Sequence, residues 1–202
     1  MRKVMNEIRD LAQKMGITDE GIINLLVKNG KICEFEKGKR IVNSAEKKHL
    51  CCILLEGICR IFFVDEQGNE YTENFFWKPG QIFSNFPIYS SKKDPKKEDA
   101  LQFDCEALSF VRAILYPVDV IEEAVRTNHE FALFVLSYYS MLNIESCLYR
   151  RAEFMMKNAA DSYEWFLKAY PGLSDKVPQQ YIASLLRFSN EHISRTKKKR
   201  PE

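Results

Sequence analysis

Hydrophobic positions follow three successive rhythms along the chain. In the first 29 residues they recur every three to four places, in "VMNEIRDLAQKM" and again in "IINLLVKN", which predicts two short helices over 2–29. Gly16 and Gly30 are placed to end them, and Thr18 to cap the second. From Ile32 to Tyr116 the period drops to two, or the runs become wholly apolar, as in "CCILLEGICRIFFV" and "YTENFFW". Turn chemistry ("EKGK", "DEQGNE", "KPG") separates these runs at short intervals, so an antiparallel roll or sandwich is predicted. Residues 90–100, "SSKKDPKKEDA", interrupt it as an exposed charged loop.

After Pro117 the helical period returns and stays. "VDVIEEAVRTN" predicts a short helix and residues 129–157 a long one, about 29 residues and ~43 Å at 1.5 Å per residue. In the long helix Phe134, Met141, Leu148 and Met155 fall seven apart, and Phe131, Tyr138, Glu145 and Ala152 form the interleaved set. A seam of period 3.5 asks for a partner helix. Both faces are apolar, so one stripe is expected on the helix's own domain and the other on a second copy, with Phe134, Tyr138, Met141, Leu148 and Met155 as the dimerisation set.

The remainder, 157–202, begins with a helix stopped by Pro171-Gly172, whose Trp165, Phe166, Leu167 and Tyr170 supply core. Pro178 suits the first turn of the next helix, where its missing N–H costs nothing. Over 179–186 Ile182, Leu185 and Leu186 fall inward, with the small Ala183 where two helices approach closely. Ser189 can then cap a last helix running from Asn190, with Ile193 inward. Two helices joined by about three residues, the second ending in cations, predict a helix-turn-helix. The exposed face of the second helix carries Asn190, Glu191, Ser194, Arg195 and Lys198, groups able to meet base edges or phosphates. The competing reading is a plain helical hairpin whose lysines suit the negative end of a helix dipole.

Charge sharpens this picture. The net charge is only +2, yet residues 157–202 hold nine Lys and Arg against five acids, while the preceding 156 residues hold 21 against 23. Positive charge is concentrated where phosphates would be approached. With 46% hydrophobic and 29% charged residues the composition is that of an ordinary globular protein. No apolar run is read as membrane-spanning and no signal peptide is read at the start, so a cytoplasmic protein without a membrane partner is expected.

Metal and enzyme chemistry find little support. The six cysteines (Cys33, Cys51, Cys52, Cys59, Cys105, Cys147) show no C-x-x-C spacing, and Cys51 and Cys52 sit next to each other on a predicted strand, hence on opposite faces. They read as buried small hydrophobes. His49, His129 and His192 are scattered over three regions, too few and too far apart for a cupin-like metal site. No Ser-His-Asp set or phosphate-cradling glycine loop occurs. No enzyme, metal or cofactor is therefore expected.

The order of these elements, with "LLEGICRIFFVDEQGNE", "KPGQIF" and the terminal "VPQQYIASLLRFSNEHISR", resembles the Crp/Fnr family of bacterial transcription regulators over nearly the whole chain. The resemblance implies an α+β chain: N-terminal helices and an antiparallel β-roll (double-stranded β-helix or jelly-roll) effector domain over 1–128, a long dimerisation helix over 129–156, and a helix-turn-helix DNA-binding domain over 157–202. It implies a homodimer on a pseudo-palindromic double-stranded DNA site, and RNA polymerase as a further partner. Carried over by position, base reading falls on Asn190, Glu191 and Arg195, and phosphate contacts on Ser189 and Ser194. Lys197, Lys198, Lys199 and Arg200 would anchor further phosphates.

Departures from the family pattern carry expectations too. Arg187 stands at the family's turn glycine, which predicts a reshaped or strained turn, and few residues follow the last helix, so no hairpin wing is expected there. Where cyclic-nucleotide-binding relatives have a Gly-Glu pair and an Arg followed by a small hydroxyl residue, this chain has Gln81-Ile82-Phe83 and then a segment without arginine. Weak or absent cyclic AMP binding is expected. No cysteine precedes Cys33, unlike the iron–sulfur branch. An unidentified small effector would then sit in an aromatic pocket drawn from Phe75, Trp77, Phe83, Phe86, Tyr89 and Tyr138. The alternative is a β-roll sensory or scaffold protein that has lost specific DNA binding.

Overall fold

In the computed structural model the chain is described over residues 2–46, 49–84, 103–156 and 158–198. It divides into two compact units: residues 1–61 with 75–138, and residues 62–74 with 139–202.

The first unit opens with α1 (Arg2–Lys14) and α2 (Glu20–Asn29). Asp19, one residue beyond the expected Thr18, caps α2: its Oδ1 accepts from the Ile22 N–H at 2.8 Å. A carboxylate there also meets the positive end of the helix dipole, an advantage a threonine lacks. Eight strands follow: β1 (Lys31–Phe35), β2 (Arg40–Val42), β3 (Leu50–Glu56), β4 (Cys59–Val64), β5 (Glu70–Phe76), β6 (Ile82–Ser84), β7 (Asp104–Ala107) and β8 (Val111–Pro117). They form two four-stranded sheets, ordered β1-β8-β3-β6 and β2-β7-β4-β5. β8 pairs antiparallel with β1 (Cys33 opposite Ala113) and with β3 (Cys52 opposite Leu115). This is the antiparallel roll that the period-2 stretch predicts.

Alternation along β3 separates two cores. Cys51 packs with Ile8, Ile23, Leu26, Ile114, Tyr116 and Ile121, beneath α1, α2 and the helix α3 (Val118–Thr127). Cys52 faces the other way, among Leu54, Cys59, Phe76, Phe83, Cys105 and Ala113. Burial pushes the Cys51 thiol up to about 12 and the Cys52 and Cys105 thiols far above their ordinary value, so all three stay protonated and unreactive. Between β3 and β4 the chain turns at Gly57, with φ 99°, where an added Cβ would run into the Phe110 carbonyl oxygen. Only glycine fits that close approach.

The long helix α4 (His129–Met155) begins in the first unit and ends in the second. In the first, Phe131 is buried and Phe134 packs beside it, their rings 5.9 Å apart. The second unit adds α5 (Ala159–Ala169), α6 (Gln179–Leu185) and α7 (Asn190–Lys198). Asn158 caps α5 through Oδ1, which accepts from the N–H groups of Ala160 and Asp161. Tyr163, Phe166, Tyr170, Leu173, Val177, Ile182, Leu185 and Ile193 are its buried core. At roughly 1.5–3 kcal/mol for each large apolar side chain removed from water, these outweigh any helix propensity in so short a set of helices.

Candidate nucleic-acid interface

The geometry at the end of the chain follows from one helix terminus. At the carboxyl end of α6 the Phe188 N–H bonds the Ala183 carbonyl at 3.0 Å and the Arg187 N–H bonds the Ser184 carbonyl at 3.2 Å. This six-to-one and five-to-two pair is the Schellman arrangement, which places its central residue in the left-handed region. That residue is Arg187, with φ 60°; it is the non-glycine with positive φ among the described residues. The turn therefore keeps its shape in spite of the arginine. Strain of about 1 kcal/mol is the consequence.

Neighbours of Arg187 offset that strain. Its guanidinium lies 6.0 Å from the ring centre of Phe63 and 5.8 Å from that of Tyr71, and the two rings are stacked on each other at 5.2 Å. A cation over an exposed ring contributes about 0.5–1 kcal/mol, the same size as the strain. One turn earlier, the Ser184 hydroxyl accepts from the Thr72 N–H at 2.9 Å and donates to the Glu70 carbonyl at 3.2 Å. It satisfies backbone groups on the outer edge of β5, the last strand of its sheet.

Asp65 organises the turn between β4 and β5. Its carboxylate accepts from the N–H groups of Gln67 (2.9 Å) and Asn69 (2.8 Å), from the Asn69 amide (2.9 Å) and from the Tyr71 hydroxyl (3.1 Å). These bonds, the Asn69 side chain's first, hold its pKa below 3.8. A lowered folded pKa means stabilisation fully present above 3.8 and lost as pH falls through the folded value. Carboxyl carbon NMR is expected to show Asp65 titrating below 3.8, and a midpoint above that value would contradict the bonding described.

Beyond the turn, Ser189 caps α7: its Oγ accepts from the His192 N–H at 3.3 Å. Ile193 is fully buried, which sets the opposite face of α7 outward. Glu191 and Arg195 are exposed on that face, and Asn190, at the first position of the helix, is exposed beside it. The Gln179 amide nitrogen donates to the Asn190 backbone and side-chain oxygens at 3.0 and 2.8 Å, tying the first turns of α6 and α7 together. Glu191 is held below its ordinary pKa, first by its own backbone N–H and then by the Ser189 hydroxyl, so an ionised acceptor stands at the helix start. Arg195 Nε reaches back to the Glu191 carbonyl at 3.4 Å.

The residues expected to contact phosphates are placed differently from one another. Ser194 is half-buried rather than on the open face, because it follows the buried Ile193 around the helix. The Lys197 ammonium is bound to Asp175 at 3.0 Å and to the Ser174 carbonyl at 3.4 Å, which lowers the Asp175 pKa and raises that of Lys197. It fastens the end of α7 to the preceding loop. Lys198 is exposed, while Lys199 and Arg200 lie outside the described residues.

Two further sets separate in the same way. In the dimerisation set, Met141 (48%), Leu148 (58%) and Met155 (69%) are exposed, as are Leu136 (62%) and Ile144 (61%), which the heptad count passed over. Phe134 and Tyr138 turn instead to the first unit: the Tyr138 hydroxyl accepts from the Ile82 N–H at 2.7 Å and donates to its carbonyl at 3.2 Å. The stretch His129–Tyr149 is also long and apolar enough to cross a membrane by length and composition, which corrects the reading that no run qualifies. In the effector set, Phe75 and Phe83 are core side chains, Trp77 is half-buried beneath the Lys78 ammonium, and Phe86 and Tyr89 lie outside the described residues. No effector pocket is assigned to them.

The arrangement as a whole matches solved structures. A proposed transcriptional regulator of the Crp/Fnr family from Eubacterium rectale superposes with a TM-score of 0.72 at 13% identity, over 94% of this chain and 86% of that one. The chain has the Crp/Fnr fold. FixK2 from Bradyrhizobium japonicum gives 0.65 at 14% identity, over 84% and 83% of the two chains. CLP, the c-di-GMP-responsive global regulator of Xanthomonas campestris, gives 0.64 at 12% identity, over 90% and 91%. No family model and no curated protein matches the sequence.

All three arginines between residues 31 and 117 are held by acids: Arg40 by Asp104 at 2.7 Å, Arg60 by Glu106 at 2.8 Å, and Arg112 by Glu7 and Glu34 at 3.0 and 3.5 Å. Arg60 is buried, where such a pair cannot be broken cheaply.

Proposed function

We propose that the chain is a homodimeric, sequence-specific DNA-binding transcription regulator of the Crp/Fnr type, responding to a small effector other than cyclic AMP, and not an enzyme. The observation that carries this reading is the outward face of α7. Glu191 and Arg195 are exposed on the face of the helix away from the buried Ile193, and Asn190 is exposed at its first position. Glu191 offers an acceptor for a cytosine amino group and Arg195 a fork for guanine. Ser189, Lys198, Lys199 and Arg200 would supply phosphate contacts. Support for a second copy comes from the row Met141, Ile144, Leu148 and Met155, apolar side chains that a lone chain leaves in water.

The reading is tested by anisotropy titration of labelled duplexes at several salt concentrations. The expected outcome is binding that discriminates among sequences and weakens with salt by roughly 0.9 log units per log unit for each phosphate contact. Uniform weak binding to every duplex, with and without cell extract, would favour the sensory or scaffold alternative. In parallel, calorimetric titration with cyclic AMP is expected to give no measurable heat of specific binding; a tight one-to-one isotherm would contradict the effector reading. Cosedimentation with phospholipid vesicles distinguishes a membrane from a second copy as the cover of α4, and the protein is expected to stay in the supernatant.

A further inference from the structure

We infer that the tip of the β4-β5 hairpin is the positioning element of the recognition helix, with Phe63 and Tyr71 acting on α7 through Arg187. The inference rests on the DNA-binding reading for its consequence, but its physical basis lies within the second unit. Two residues separate the left-handed Arg187 from Asn190, the first residue of α7. The backbone angles of that short turn set the direction in which α7 leaves α6. A glycine would hold the left-handed conformation without penalty, whereas an arginine gains by leaving it. Relaxation of Arg187 toward the right-handed region would swing α7 and its reading face.

The stacked pair of rings opposes that relaxation. Phe63 sits in β4 and Tyr71 in β5, their rings stacked on each other, and in the observed shape of the turn the guanidinium lies against both. Three further hydrogen bonds fix where the rings stand. Ser184 ties α6 to the edge of β5 at Thr72 and Glu70, and the Tyr170 hydroxyl donates to Asn74 Oδ1 at 2.8 Å. The Tyr71 hydroxyl also donates to Asp65 at 3.1 Å, a bond within the hairpin that the stacking of the rings does not require. In this account a segment that in sequence belongs to the roll serves the DNA-reading unit. Arginine at the turn is tolerated because its side chain compensates for its backbone.

A double-mutant cycle separates this role from simple packing. The variants are Phe63→Leu with Tyr71→Leu, Arg187→Gly, all three together, and Tyr71→Phe, which keeps the ring but not the hydroxyl. Thermal unfolding and affinity for the preferred duplex are read for each. The paired leucine variant is expected to lower Tm by about 2–4 °C and to weaken DNA binding about tenfold. Arg187→Gly, which needs no compensation, is expected to stay within about threefold of the parent, and adding the leucines to it should then change little. Tyr71→Phe should bind as the parent does. Equal losses from the leucine pair in the parent and in the Arg187→Gly variant would show that the rings act independently of the turn and would overturn the inference. If the parent bound no DNA specifically, the proposed function would fail while the Tm cycle would still decide whether the coupling exists.

Discussion

Replacing Ile144 and Leu148 together by glutamate is expected to leave a folded chain that sediments as a monomer and binds its preferred duplex about 10²–10⁴-fold more weakly. Both side chains are mostly exposed, 61% and 58%, so the substitutions remove little core from the chain itself. Surface changes of that kind ordinarily move stability by no more than about 0.5 kcal/mol. Buried against a partner helix, however, four carboxylates per dimer would be desolvated without cations to meet them. The loss in DNA binding follows from geometry: two linked reading heads bind their half-sites as one event, and separated heads do not. Analytical ultracentrifugation beside anisotropy titration checks both halves. A variant that remained dimeric at micromolar concentration would place the interface elsewhere.

Arg195→Ala and Glu191→Ala are expected to cost about 1–3 kcal/mol in each half-site and to relax base preference at one position apiece. Because a symmetric dimer carries each change twice, the effect on affinity is compounded. Lys198→Ala should behave differently: weaker binding to all sequences alike, with the salt slope reduced by about one unit per half-site. Lys197→Ala should instead act mainly through the loss of its bond to Asp175 at the end of α7. Competition titrations against duplexes changed one base pair at a time read these patterns directly. A uniform loss for Arg195→Ala would make it a phosphate contact rather than a reader.

Much of the fold was legible because local signals and burial agree. Alternation along "CCILLE" foretold that Cys51 and Cys52 face different cores, and the spacing of Ile182, Leu185, Leu186 and Ile193 foretold how α6 and α7 pack. Less was legible where one residue satisfied two rules. A heptad count on α4 cannot say which of two apolar stripes turns inward, and Tyr138 went to the first unit for the sake of an Ile82 backbone bond 56 residues away. Ser194 looks like an exposed polar residue until the buried Ile193 defines the helix's rotation, and Lys197, though exposed, looks uncommitted until Asp175 is seen to hold it.

The coupling of the hairpin tip to the helix-turn-helix had no local signal. Thr72 and Ser184 are 112 residues apart, and nothing in "RIFFVDEQGNEYT" distinguishes a solvated hairpin from one whose rings receive an arginine. The one visible clue was the misfit itself. Arg187 stands where the backbone asks for glycine, and a side chain that breaks a local rule invites a search for what compensates it.

The central claim, that α7 reads duplex DNA as one of a symmetric pair, is tested most directly by selecting bound sequences from a random duplex pool and sequencing them. The account predicts an enriched motif of two inverted half-sites, their centres about 10 bp apart or a multiple of it, with the preferred base at one symmetric pair of positions lost in Arg195→Ala. An unenriched pool, or a single half-site unaffected by Arg195→Ala, would contradict it.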